Sequence, residues 1–121
     1  MSFDLAVWDG TAPAGDDAAD AEFQRLYAAA GDGAEPTPAI RRYVEALLAR
    51  YPDVTDLPEA EIDDSPWMTC PLLGAAAGPF MHFGIAPGAS DEAFAFILAT
   101  AHEHGLVVFD PQEGRVVTVD A

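Results

Sequence analysis

Residues 104–117, HGLVVFDPQEGRVV, constrain the fold more tightly than any other stretch of the chain. Gly105 stands where a helix would stop, because glycine takes up the left-handed closing conformation without a Cβ penalty. Residues 106–109, LVVF, are apolar without a break, the pattern of a strand buried on both faces. Asp110 opens a turn, Pro111 presets its backbone and Gly114 suits a left-handed position. Residues 115–119, RVVTV, return as a second strand. The segment predicts a helix end running into a C-terminal β-hairpin.

The rest of the chain offers partners for that hairpin. Phe3, Leu5 and Val7 alternate with Asp4, Ala6 and Trp8, the period of a strand. A helix follows from Asp16 or Asp17, with Ala19, Phe23, Leu26, Tyr27 and Ala30 on its apolar face and Gly31 as its stop. Thr37 and Pro38 announce a second helix as N-cap and first turn. Its core face is Ile40, Tyr43, Val44, Leu47, Leu48 and Tyr51, and Pro52 ends it. WMTCPLL, from Trp67, reads as a short strand and GAAAG as a connection. Residues 80–85, FMHFGI, read as a better strand. Ser90 caps a third helix with Phe94, Ile97, Leu98 and Ala101 toward the core.

This order predicts an α+β fold with a mainly antiparallel sheet and helices on one face. The expected arrangement is a ferredoxin-like variant with an extra helix and the C-terminal β-hairpin. Residues 1–121 are expected to form one globular domain, since 121 residues bury a core without a disulfide or metal.

Composition narrows the function. There are 21 acidic residues and five basic ones, a formal net charge of −16. The five are arginines, and lysine and asparagine are absent, which points to a GC-rich bacterial genome, with halophily as the other explanation. Such a surface is expected to bind neither nucleic acid, whose phosphates need a basic stripe, nor an anionic membrane. It suits solubility, or attraction to a basic partner. The start, MSFDLAVWDG, lacks the basic and long apolar regions of a signal peptide, and Cys70 is the single cysteine, so a cytoplasmic protein is expected. The uncharged stretch 71–90 is punctuated by prolines and glycines, which a lipid-exposed span would not tolerate.

Motifs for chemistry are sparse. His102 and His104 stand two apart; on a helix that turns their rings about 200° from each other, so a shared metal is not expected. The acidic stretch Asp53, Asp56, Glu59, Glu61, Asp63 and Asp64 lacks the glycine and spacing of a calcium loop. GAAAGP is neither of the glycine-rich phosphate loops. Ser65 and Ser90 have turn and cap roles. No catalytic residue, metal or cofactor is assigned. The residues singled out for binding are Trp8 with Asp9, Trp67 behind Asp63 and Asp64, and His82 in its apolar strand. Buried roles compete with recognition for both tryptophans, since an exposed tryptophan flanked by acids would anchor a basic partner.

SFDLAVWD, TPAIRRYVEALLARYP and HGLVVFDPQEG together resemble a loose group of small uncharacterised bacterial proteins. These begin Ser-aromatic-Asp-Leu, carry a Thr-Pro-capped middle helix and close with a His-Gly-strand-Asp motif. The resemblance carries no activity; His104 and Asp110 match its closing motif. The expected function is a non-catalytic protein-binding module, immunity-like, neutralising a basic partner as a monomer or homodimer. The alternative is a small-ligand-binding or enzymatic domain with a pocket around His82.

Overall fold

A computed structural model describes residues 3–10, 13–29, 35–53, 56–60, 65–68, 72–86 and 89–117. Along the chain run β1 (Phe3–Trp8), α1 (Asp16–Ala29), α2 (Pro38–Arg50), a 3₁₀ turn (Leu72–Ala75), β2 (Ala76–Ala77), β3 (Phe80–Ile85), α3 (Asp91–Glu103), β4 (Val107–Asp110) and β5 (Arg115–Val117). The strands form one five-stranded sheet in the order β2-β3-β1-β4-β5. Every neighbouring pair is antiparallel. The α+β class, the antiparallel sheet and the terminal hairpin are therefore those the sequence predicts. β3 and β4 run the same way on either side of β1, and α3 connects them.

Local chemistry explains the helix ends. The Thr37 hydroxyl accepts from the Ile40 N–H at 3.4 Å, and the Ser90 hydroxyl accepts from the Ala93 N–H at 3.1 Å. Each satisfies a backbone donor that the first turn cannot. At the far end of α3 the Leu106 N–H donates to the Ala101 carbonyl and the Gly105 N–H to the His102 carbonyl, both at 3.0 Å. Gly105 sits at φ +69°, so the closure has the Schellman pattern.

Side-chain alternation in the strands then decides the layers. Leu5 and Val7 point with Met81, Phe83, Ile85 and Val108 toward Ile40, Tyr43, Val44 and Leu47 of α2 and Ile97 and Ala101 of α3. Ala6 and Trp8 point the other way with Phe80, Val107 and Phe109, and there they meet Ala19, Phe23 and Leu26 of α1. The helices thus occupy both faces. This corrects the expected single helical layer and departs from a two-layer ferredoxin-like sandwich. The reason lies in β4, whose residues are buried throughout: a strand apolar on both sides needs cover on both.

Two smaller expectations also change. The strand expected at WMTCPLL is replaced by an isolated bridge between Trp67 and Ile85, followed by the 3₁₀ turn. Residues 69–71 of that stretch lie outside the described residues. The supposed GAAAG connection instead contributes Ala76 and Ala77 as β2. The outer edge of β3 is thereby covered in two pieces, β2 at one end and residues 66–68 at the other, where the Met68 N–H donates to Gly84 at 3.0 Å and the Ala86 N–H to Pro66 at 2.7 Å. No helix among the described residues is long and apolar enough to cross a membrane.

Candidate functional site

Both concave places of interest open on the α1 side of the sheet. α1 is the one helix of the described residues on that face, and it covers the face incompletely. Of its apolar stripe, Ala19 and Leu26 are buried and Phe23 half-buried, but Tyr27, expected in the core, is 55% exposed.

The first cavity, about 410 Å³, lies where β1 ends against α1 and is lined by Trp8, Asp9, Gly10, Glu22, Arg25 and Leu26 among others. It gathers two residues singled out from sequence. Trp8 is buried, and its indole N–H has no hydrogen-bond acceptor among the described residues. Asp9 is exposed; its backbone N–H donates to Pro79 at 2.8 Å and its carboxylate accepts from the Thr37 hydroxyl at 3.5 Å. The cation that lines this cavity, Arg25, is paired with Glu22 one turn earlier on α1.

The second cavity, about 330 Å³, surrounds His82 and includes Asp4, Phe23, Gln24, Tyr27 and Gln112 in its lining. His82 is half-buried and walled by rings. Tyr27 meets it edge-on with centroids 5.5 Å apart, Phe23 does so at 5.8 Å, and Phe80 stacks beside it at 6.5 Å. Strand register brings Asp4 into the same site: Asp4 pairs with Gly84 and Ala6 with His82 on the face where Ala6 and Trp8 point.

The C-terminal hairpin holds Asp4 in place. The Gln112 carboxamide accepts from the Asp4 N–H at 2.7 Å and donates to the Asp4 carbonyl at 2.9 Å, matching the backbone of β1 just beyond the end of β4. Asp110, itself buried, organises the turn that presents Gln112 by accepting from the backbone N–H groups of Gln112 at 2.9 Å and Glu113 at 3.3 Å. Gly84, lacking a Cβ, lets Asp4 and Met68 close over it. A Cβ there would stand 3.3 Å from an Asp4 carboxylate oxygen and 3.0 Å from the Met68 Cβ. Met68, 57% exposed, therefore borders the same strip of sheet as His82, two residues along β3.

The remaining expectations fall elsewhere. Trp67 is buried, its indole N–H donating to the Tyr51 carbonyl at 2.6 Å and its ring against Phe83, so it serves the core and is no exposed anchor. Trp8 is likewise enclosed rather than exposed. Asp63 and Asp64 lie outside the described residues. Asp53, from the acidic stretch, is buried and accepts from the Leu72 N–H at 2.8 Å, which commits it to the fold. His102 is exposed while the His104 ring turns back to the Thr100 carbonyl at 2.8 Å and lies near Tyr43. Among the described residues no three His, Cys, Asp or Glu side chains converge as a metal site.

Sequence reasoning found His82 but missed its neighbours. Asp4 reads only as the polar half of an alternating strand, and Gln112 only as a turn residue. Tyr27 reads as core because helical periodicity cannot show how much of the α1 face of the sheet the helix leaves uncovered. No family model, no curated protein and no solved structure matches the chain.

Proposed function

We propose that this chain is a non-catalytic protein-binding module, immunity-like in action, that neutralises a basic partner in the cytoplasm as a monomer or homodimer. One observation carries the proposal. The large apolar side chains exposed among the described residues, Tyr27 and Met68, border one strip of sheet together with the Asp4 carboxylate and His82. The other large apolar side chains of the described residues are buried or half-buried. Exposed apolar side chains set beside polar groups mark a docking patch, and aromatic side chains are favoured anchors there. The chain's charge of −16 supplies long-range attraction for a basic protein and repels acidic competitors.

The test is affinity capture from the native host at low salt, run in parallel with wild type and a Tyr27→Ser/Met68→Ser double variant. Both sites are exposed, so circular dichroism should show an unchanged fold. A basic polypeptide held by wild type, released by salt and absent from the variant is the expected result. Recovery of the same proteins by both, or of none, overturns the reading. A second reading, a small-ligand domain at His82, is favoured by the cavity itself, whose volume falls at the small end of ligand sites.

A further inference from the structure

We propose that the His82 cavity receives one arginine side chain of the basic partner, its guanidinium lying against the Tyr27 ring and pairing with the Asp4 carboxylate. The proposal rests on the protein-binding reading and names the group that the patch recognises.

The charge balance of the site carries it. Asp4 takes part in none of the ion pairs of the described residues, which join Arg25 to Glu22, Arg50 to Glu92 and Arg115 to Glu113. Among the described residues its two hydrogen bonds, both to Gln112, use the backbone, and none of those residues donates to the carboxylate oxygens. Arg41 and Arg42 belong to α2, which packs on the other face of the sheet. No cation of the described chain is therefore committed to Asp4. The other cavity differs on this point, because Arg25 and Glu22 already neutralise each other there.

The shape of the site selects among cations. Its walls are ring faces and edges from Phe23, Tyr27 and His82, set 5.5–5.8 Å apart, and a half-exposed carboxylate lies at one side. A guanidinium is planar, weakly hydrated, and can stack on a ring while its edge donates two hydrogen bonds to a carboxylate. An ammonium is a compact, strongly hydrated point charge and gains less from the rings. A divalent metal would need several oxygen ligands, and among the described residues no such cluster is present. Gln112 fixes the Asp4 backbone beforehand, so little ordering remains when the arginine arrives.

The experiment is a chemical-shift titration of the ¹⁵N-labelled full chain with N-acetyl-arginine amide, its lysine counterpart and its uncharged citrulline counterpart. Arginine amide should move the signals of Asp4, Tyr27, His82 and Gln112 saturably, lysine amide more weakly, and citrulline amide not at all. Asp4→Asn should weaken binding about tenfold and Tyr27→Ala about fivefold. Gln24→Lys, on the exposed side of α1, should abolish it by placing an internal cation at the carboxylate. Shifts scattered over the acidic surface, equal response to citrulline, or indifference to Asp4→Asn would overturn the arginine site. If that happens while partner capture still depends on Tyr27 and Met68, the binding module stands and only its arginine anchor falls. Loss of the Tyr27/Met68 dependence, with arginine binding intact, removes the module reading instead.

Discussion

Tyr43 shows how one residue joins two helices. It is fully buried on α2, and its phenol donates to the Ile97 carbonyl of α3 at 3.1 Å. Burial pushes the phenol well above its ordinary value, because the charged form would lose its hydration. The folded chain thus keeps this proton where the unfolded chain releases it, above about pH 10. With more protons bound by the folded state, its contribution is present below that pH and is lost as pH rises further. Tyr43→Phe should cost about 1 kcal/mol at neutral pH through the lost hydrogen bond. The gap between wild type and variant should narrow at pH 11, as read from urea unfolding at both pH values. A constant gap would show that the Tyr43 proton is not held by the fold.

At the scale of elements, caps and turns set the boundaries, and two of them can be weighed separately. At Gly105 an added Cβ would meet nothing within 4 Å, so the cost of Gly105→Ala comes from the φ of +69° alone. About 1–2 kcal/mol is expected, measured as a lower denaturation midpoint with an unchanged m-value. At the β4–β5 hairpin, the Asp110 side chain holds two backbone N–H groups and the Gln112 side chain. Asp110→Ala should cost about 2 kcal/mol. It should also loosen Gln112 and hence Asp4, so faster amide hydrogen exchange at Asp4, without change in α2, is the expected mark of that linkage.

At the scale of the whole molecule, the described residues form a sheet with two helices on one face and one on the other, and the chain carries a large negative charge. With 21 acidic side chains against five basic ones, folding concentrates like charges. Added salt screens that repulsion within roughly 10 Å at 0.1 M. The melting temperature should therefore rise by several degrees between 10 mM and 500 mM sodium chloride, by scanning calorimetry, while affinity for a basic partner falls over the same range. A melting temperature that drops with salt would mean that the few ion pairs outweigh the repulsion. The Asp4 carboxylate, which joins no ion pair among the described residues, is one local instance of the same imbalance.

Much of this was legible in the residues themselves. Thr37–Pro38 and Ser90 mark helix starts, Gly105 a stop, and DPQEG a hairpin, because each acts through backbone geometry within a few positions of itself. The unbroken LVVF likewise announced a strand covered on both sides, although its consequence for the helices appears only once α1 is seen across the sheet from α2 and α3. What tertiary structure alone decided is which distant residues share a space. Asp4 and Gln112 are 108 positions apart, and their pairing follows from strand order and the reach of one turn. Tyr27 lies exposed beside His82 because a single helix is too narrow to cover that face, a relation between an element and a surface that no local pattern encodes.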